Sequence, residues 1–309
     1  MTERKRYDVV ALGEAMLEFN QTRPDEANYL QGYGGDTSNA AIAAARAGAA
    51  TAYLTRLGDD WFGQRLRALW AEEGVDTCGV ETDATRNTGI YFVNHGSAGH
   101  AFSYLRAGSA ASAMTPEWLP REVVQASRIL HVSGISLAIS PGARQTAMAA
   151  MRCAREAGIL VSFDPNLRLK LWSLEQARAG IAEAASLCDI FLPGAEDMEA
   201  LLGLTDADAI VEWGHARGAK AVVLKLGARG CLASDGRERL LLPAAPATLV
   251  DATGAGDCFC GNLLARIAAG DSVFEATRYA NAAAALAVQG FGAVAPLPTR
   301  AAVLAELAR

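Results

Sequence analysis

The chain lacks the segments that would place it in or across a membrane. No apolar stretch reaches the ~18 uncharged residues that a membrane-spanning helix needs. The basic start, MTERKR, is followed by apolar residues that Glu14 and Glu18 interrupt, so the continuous apolar core of a signal peptide is missing. These absences exclude a membrane as an expected partner and predict a cytoplasmic protein.

The chain has no excess of basic residues either. Its 309 residues include 28 Lys and Arg against 34 Asp and Glu, which gives a net charge of −6. The basic residues are scattered, whereas a nucleic-acid interface requires a cluster of them on one face. Nucleic acid is therefore excluded as an expected partner.

The few cysteines lack the spacing of metal ligands. They stand at Cys78, Cys153, Cys188, Cys231, Cys258 and Cys260. No two of them form C-x-x-C, and the close pair near residue 260 has no histidine beside it. We expect free, reduced thiols, as in a cytosolic enzyme.

What the chain does have is a regular alternation of strand and helix patterns. YDVVALGE predicts a buried strand, NAAIAAARAG a helix and ATAYLTRLG a second strand. The alternation resumes between RILHVSG and AKAVVLKLG. With 51% hydrophobic residues, this pattern predicts a packed core around a mostly parallel sheet covered by helices on both faces. We treat residues 1–309 as one domain.

Two segments, at about residues 14–34 and 87–108, interrupt this alternation. Each reads as a pair of short strands, the second pair turning around Gly96 to Gly99. Four such strands predict a small separate sheet. Its dense polar and aromatic residues favour a lid over a cleft, and a plain extension of the main sheet is the alternative.

The stretch DATGAGD, residues 251–257, precedes an apolar helix. Backbone N–H groups of Gly254, Ala255 and Gly256 at a helix N-terminus would form an anion site suited to phosphate. Asp257 follows in the first turn, where a carboxylate can accept the proton of an attacking hydroxyl. The alternative is an acid that only complements the helix dipole. The dinucleotide and Walker-type phosphate loops are excluded, because Phe259 breaks G-x-G-x-x-G and no G-x-x-x-x-G-K-[ST] occurs.

Two motifs together resemble those of the ribokinase-like (pfkB) family of sugar kinases. DATGAGDCFCG is similar to the C-terminal motif, and GGDTSNAAIAAARAG, residues 34–48, is similar to the glycine-rich N-terminal motif. The resemblance implies a three-layer α/β/α sandwich with a small β-sheet lid, and ATP with Mg²⁺ as cofactors. It also implies Asp257 as the catalytic base beside an anion hole of Gly254, Ala255 and Gly256. Activation by a monovalent cation stays open.

Three further stretches are similar to 2-keto-3-deoxygluconate kinases: FDPNLRLKLW, YLRAGSA and HVSGISLAIS. That substrate carries a carboxylate, which the planar guanidinium of arginine recognises through paired hydrogen bonds. Arg106 and Arg168 are the candidates. The expected reaction is phosphorylation of this sugar acid at its 6-hydroxyl by ATP. A fructokinase, ribokinase or other sugar or aldonate kinase is the alternative, and a catalytically silent sugar-binding protein is a third hypothesis that the intact GAGD disfavours.

The resemblance assigns the other candidate residues to two groups. The substrate group contains Gly34, Gly35, Asp36, Asn39, Tyr91, Tyr104, Arg106, Arg168 and Asp257, and Glu14 would face the same cleft. The ATP group contains Asn166, Arg168, Lys225, Gly227, Gly230, Gly254, Gly256 and Asn281. The alternatives are a plain turn for Gly34 and Gly35, a helix cap for Asp36, and packing for the two tyrosines.

The chain departs from the family at its N-x-x-E pattern. Gly194 stands in place of the Asn and Asp197 in place of the Glu. No residue is expected to bind the metal directly, and Glu196 or Asp197 would orient Mg²⁺ through water. The expected partners are the small sugar acid, ATP and a second copy of the chain, because the open edge of a lid sheet would gain from a pairing strand.

Overall fold

The computed structural model describes residues 5–23, 26–96 and 99–309. In chain order the strands are β1 (Tyr7–Leu12), β2 (Met16–Gln21), β3 (Tyr29–Gly34), β4 (Thr51–Gly58), β5 (Val75–Asp76), β6 (Val80–Asp83), β7 (Ile90–Gly96), β8 (Gly99–Leu105), β9 (Ser127–Ser133), β10 (Leu160–Asp164), β11 (Ile190–Phe191), β12 (Ala221–Lys225), β13 (Cys231–Ser234) and β14 (Arg239–Leu242). The helices are α1 (Asp36–Arg46), α2 (Trp61–Glu72), α3 (Arg121–Gln125), α4 (Gly134–Ala138), α5 (Pro141–Glu156), α6 (Leu174–Ala185), α7 (Ala195–Leu202), α8 (Ala207–His215), α9 (Ala255–Ala268), α10 (Val273–Ala287) and α11 (Arg300–Leu307).

The large sheet has the strand order β14-β13-β12-β11-β10-β9-β1-β4-β5, and β6 also pairs with β4. From β12 to β5 all neighbours are parallel, while β13 and β14 continue the edge as antiparallel strands. Parallel neighbours need long crossover connections, which the helices supply. The predicted, mostly parallel sheet is therefore confirmed.

Two apolar clusters fill the two faces of this sheet. One packs α1, α9 and α10 against the sheet, with side chains such as Ile42 and Leu263 fully buried. The other packs α5, α6 and α8 on the opposite face, around residues such as Met151 and Ile181. The architecture is the predicted three-layer α/β/α sandwich.

The small sheet, which we define as β2, β3, β7 and β8, has the order β3-β2-β7-β8. Its middle pair, β2 and β7, is parallel, and the outer pairs are antiparallel. A separate sheet from these two segments is confirmed. Its edge strands expose Leu30 (67%) and Leu105 (63%), an apolar surface on which a second copy could pack, and that association stays a prediction. Residues 1–4, 24–25 and 97–98, the last in the predicted turn of the second hairpin, lie outside the described residues.

Two findings concern the predicted absences. Among the helices that the structure describes, none is both long and apolar enough to cross a membrane. All six cysteines are free thiols, as predicted, and five of them are buried.

Helices α1 and α9 carry the two motifs, and they pack tightly at Gly261. A Cβ atom at Gly261 would lie 2.1 Å from the carbonyl oxygen of Ala40 and 2.8 Å from the Cβ of Ala43. Only glycine permits this approach, because any side chain would overlap the backbone of α1. The contact brings the N-terminal half of α9 close to α1, and with it the motif residues at their first turns.

We predict that Gly261→Ala lowers the free energy of unfolding by about 1–3 kcal/mol, because the added methyl group forces α1 and α9 apart. Urea denaturation monitored by circular dichroism measures the change. Gly256→Ala in the same helix is the control, since its Cβ would meet only Lys225 Nζ at an ordinary 3.7 Å. Equal stability of the two variants would contradict a tight contact at Gly261.

Candidate active site

The N-terminal motif begins with a glycine turn that frees Asp36. Gly35 is the N-cap of α1 with φ 116°, and a Cβ there would lie 2.5 Å from the carbonyl oxygen of Glu14. No side chain caps this helix, so the alternative of Asp36 as a cap is wrong. Asp36 Oδ2 instead accepts a hydrogen bond of 2.9 Å from Asn166 Nδ2. Its Oδ1 is buried without a hydrogen-bond partner, which marks it as an acceptor for a ligand hydroxyl.

Asp257 lies in the first turn of α9 and is held by the other motif. Asn39 Nδ2 donates to Asp257 Oδ2 at 2.8 Å. Burial, followed by the nearby carboxylates of Asp36 and Asp164, raises the pKa of Asp257 to about 7, although Asn39 and Lys225 act in the opposite direction. A carboxylate with a pKa near neutrality is well matched to general-base catalysis.

The loop before Asp257 has the geometry of an anion hole. Gly254 is the N-cap of α9 with φ 74°, and a Cβ there would lie 3.0 Å from backbone atoms of Ala293. Asp251 holds the loop by accepting hydrogen bonds from Thr253 N and Gly292 N, each 2.9 Å long. The first-turn N–H groups of a helix have no partners inside the helix, so those of Gly256 and Asp257 are suited to an anion. The N–H group of Ala255, also predicted for the anion hole, instead donates to the carbonyl oxygen of Ala252 at 3.2 Å.

A buried ion pair lies next to this hole. Lys225 Nζ, at the end of β12, pairs with Asp164 Oδ2 at the end of β10. The position of a Cβ on Gly256 would be 3.7 Å from Lys225 Nζ, so the ammonium group faces the predicted phosphate site. Asp164 was not among the predicted residues. Its place at the carboxyl end of a parallel strand is the signal that could have found it.

Asn166 connects this pair to Asp36. Its backbone N–H donates to Asp164 Oδ1 at 3.1 Å, and its side chain donates to Asp36. Its φ of 31° lies in the left-handed region, which asparagine tolerates better than most residues. The predicted ATP residues Asn166 and Lys225 therefore meet the substrate residue Asp36 in one cluster.

The small sheet contributes a pair of stacked tyrosines. Tyr91 packs under Gly34, where a Cβ would lie 2.3 Å from the tyrosine hydroxyl. That hydroxyl donates to Glu18, a buried carboxylate that the sequence did not single out. Tyr104 stacks on Tyr91 with ring centroids 5.6 Å apart and remains 39% exposed. The two tyrosines therefore pack together, and Tyr104 is the more accessible to a ligand.

Arg106 forms an ion pair with Glu14, the acid that follows β1. Ser109 Oγ donates to the second oxygen of Glu14 at 2.6 Å. Only 10% of the Arg106 side chain is exposed, so the pair is sealed between the small sheet and the large one. The positive charge of Arg106 is already balanced before any substrate binds.

Arg168 lies on the other side of the cluster and is exposed. Its Nη1 donates to the carbonyl oxygen of Leu167 at 2.8 Å. Burial and Asp164 raise the pKa of Asp197 to about 6, while Lys225 and Arg168 oppose this rise. Glu196, in contrast, is exposed. Asp197 is thus the more buried of the two acids, and the role of either toward Mg²⁺ stays a prediction.

Two of the remaining predicted nucleotide residues, Gly230 and Asn281, contact residues 242–244. Gly230 has φ 95°, and a Cβ there would lie 2.0 Å from the carbonyl oxygen of Leu242. Asn281 Nδ2 donates to the carbonyl oxygen of Pro243 at 2.8 Å. Gly227 begins the 3₁₀ turn that follows β12. Their contact with a nucleotide stays a prediction.

Comparison with known proteins agrees with this geometry. The profile of the pfkB family carbohydrate kinases matches residues 6–300. Fructokinase-1 of Oryza sativa subsp. japonica is 35% identical over 313 aligned residues, which cover 96% of each chain.

Solved structures have the same fold. The crystal structure of a PfkB protein from Polaromonas sp. JS666 superposes with a TM-score of 0.89 at 35% identity, covering 97% of this chain and 99% of that one. A fructokinase from Vibrio cholerae O395, in a form with bound fructose, ADP and calcium ion, superposes with a TM-score of 0.86 at 29% identity, covering 97% and 98%. With its two motifs joined at Asn39 and Asp257, the chain belongs to the pfkB family of carbohydrate kinases.

Proposed function

We propose that the protein is an ATP-dependent kinase for a neutral ketohexose, with fructose as the first candidate. The observation that supports this choice is the buried ion pair of Arg106 with Glu14, because a substrate carboxylate would have to compete with Glu14 for the guanidinium. Relatives with the name fructokinase, at about one-third identity over nearly the whole chain, favour the same class.

In the proposed reaction Asp257 accepts the proton of the attacking sugar hydroxyl. Asp36 orients the sugar, because its buried Oδ1 has an unused lone pair that faces no other donor. The N–H groups at the start of α9 bind the transferred phosphoryl group and the charge that develops on it. Lys225 places a cation beside the same group.

The residues present also fit a magnesium ion bound with ATP. Asp197 is a half-buried carboxylate near Asp164 and Lys225, and carboxylate oxygen, directly or through water, is the donor that Mg²⁺ prefers. When bound, the ion would neutralise charge on the phosphate oxygens. Asp197 would hold it through water.

The sugar acid 2-keto-3-deoxygluconate is the second candidate substrate. Arg168 favours it, because this exposed guanidinium has no ion-pair partner among the residues that the structure describes. A substrate carboxylate that reached Arg168 would gain a charge-assisted hydrogen bond. The cytoplasmic location predicted from the sequence stays a prediction.

We expect Asp257→Asn to lower kcat by roughly 10²–10⁴-fold, because the amide cannot accept the hydroxyl proton. KM and the melting temperature should change little, since the substitution preserves shape and acts mainly in the transition state. A coupled assay of ADP formation measures the rate. The control is Asp271→Asn, which breaks only the ion pair with Arg266 at the far end of α9 and should leave kcat unchanged. More than a tenth of the wild-type kcat in Asp257→Asn would remove this residue from the mechanism.

Gly256→Val should lower kcat/KM for ATP at least about tenfold, because its branched side chain would occupy the space between the helix N-terminus and Lys225. Gly256→Ala should lie between this variant and the wild type. Folding is checked by the melting temperature. A folded valine variant with wild-type kinetics would mean that the loop only begins a helix.

Substrate preference separates the two candidates. We expect kcat/KM for fructose to exceed that for 2-keto-3-deoxygluconate, because a carboxylate would add negative charge beside Asp36, Asp164 and Asp257. Arg168→Ala should then leave the KM for fructose nearly unchanged. If the keto acid is preferred by more than about 10²-fold, and Arg168→Ala raises its KM about tenfold or more, the second candidate is correct.

A further inference from the structure

The proposed role of Lys225 beside the phosphate does not explain why its ammonium group pairs with Asp164. Lys225 Nζ contacts Asp164 Oδ2 directly and lies 3.6 Å from Cys260 Sγ. Cys260 Sγ in turn donates to Asp164 Oδ2 at 3.4 Å. The three groups form a closed, buried cluster between β10, β12 and α9.

This cluster adjoins the proposed base through α9. Cys260 stands three residues after Asp257, almost one helical turn further along α9, and Lys225 Nζ also faces Gly256 on the preceding turn. Lys225 and Asp164 therefore approach Asp257 from the sheet, while Asp36 and Asn39 approach it from α1. Charges of both signs act on one carboxylate from two sides.

The titratable groups around Asp257 lie on five different elements. They are Asp36 on α1, Asp164 on β10, Lys225 on β12, the hydroxyl of Tyr91 on β7, and the thiols of Cys258 and Cys260 on α9 itself. Burial raises the pKa of the Cys258 thiol to about 12 and also raises those of Tyr91 and Cys260, so these three groups are neutral at pH 7. The charges that act on Asp257 are therefore the negative charges of Asp36 and Asp164 and the positive charge of Lys225.

The positive charge is stable in this position. Burial opposes the ammonium form of Lys225, but Asp164, Cys260 and Asp197 together outweigh burial and hold the pKa of Lys225 above its ordinary value. Lys225 thus stays charged over the pH range in which Asp257 titrates. Replacing a buried ion pair with apolar groups often costs little stability, so its retention beside a base calls for another explanation.

We propose that Lys225 is the positioning residue that keeps Asp257 ionised, and that Asp164 limits this effect by pairing with Lys225. The inference rests on the proposed role of Asp257 as the base. Lys225 attracts negative charge to Asp257, whereas Asp36 and Asp164 repel it. The ionised fraction of the base at neutral pH then depends on the balance between the two members of the pair.

Three variants isolate the charge of Lys225. Asp164→Asn removes one repelling carboxylate and leaves Lys225 unpaired. The double variant Asp164→Asn with Lys225→Met has the same residue at 164 and differs from the first only by the loss of the ammonium group. Lys225→Arg keeps the positive charge while changing the geometry of the group.

The measurement is the acid limb of the pH profile of kcat/KM, which reports the ionisation of the free enzyme's base. For Asp164→Asn we expect this limb to move about 1 pH unit below the wild type, because Asp257 loses a repelling neighbour and keeps the cation. In the double variant the acid limb should lie about 1 pH unit above that of Asp164→Asn, because the cation is lost. Lys225→Arg should stay within about 0.3 units of the wild type. At pH 7 a base with a pKa of about 7 is about half ionised and one with a pKa 1 unit lower is about nine-tenths ionised, so the ionised fraction should differ about twofold between the double variant and Asp164→Asn.

A purely structural role of the pair gives a different result. It would lower kcat/KM at every pH, or lower the melting temperature, without moving the limb. Equal acid limbs for Asp164→Asn and the double variant would overturn the inference.

A direct titration separates this inference from the proposed function. Protein labelled with ¹³C at the aspartate carboxyl carbons reports the ionisation of Asp257 by NMR, and the Asp257 signal is assigned by its absence in Asp257→Asn. If the wild type phosphorylates none of the sugars tested, the proposed function fails, while the titration still tests the inference. A titration midpoint of Asp257 that is the same in all variants would overturn the inference even in an active enzyme.

Discussion

The hydrogen bond from Asn39 to Asp257 is the interaction on which the site depends. It joins the first turns of α1 and α9, whose motifs lie at opposite ends of the sequence. The bond can form only because Gly261 lets the two helices approach to backbone contact. A tight helix contact in the core therefore determines the distance between the proposed base and the residues proposed to bind the sugar.

The repulsion between carboxylates in the site is a consequence of bringing these helices and strands together. Bringing the ends of β10 and β12 to the N-termini of two helices concentrates carboxylates in a small, partly dry volume, where like charges repel strongly. Lys225 is the buried cation that offsets this repulsion, and Arg106 has the same relation to Glu14 on the sugar side. The phosphate side and the sugar side of the site thus each contain an ion pair, Asp164 with Lys225 and Glu14 with Arg106.

The elements that local patterns define could be predicted from the sequence. The strands and helices of the alternating units, the separate small sheet and the loop at Gly254 to Asp257 follow from side-chain period and glycine placement, which are properties of short segments. Pairs of side chains that come into contact only in the folded chain could not be predicted from the sequence. The pairing of Arg106 with Glu14 joins a residue that follows a strand of the small sheet to one that follows a strand of the large sheet, and it is the reason why we propose a neutral sugar as the substrate. Glu18 was missed for the same reason, since its partner Tyr91 lies on another strand.

The ion pair between Glu14 and Arg106 also limits how substrate preference can evolve in this chain. Losing the guanidinium alone would leave Glu14 as a buried carboxylate without a counter-charge, and losing the acid alone would strand a buried cation. Both single steps pass through a destabilised intermediate, so positions 14 and 106 are expected to change together. A lineage that acquired a new sugar specificity here would have to exchange the two residues as a pair.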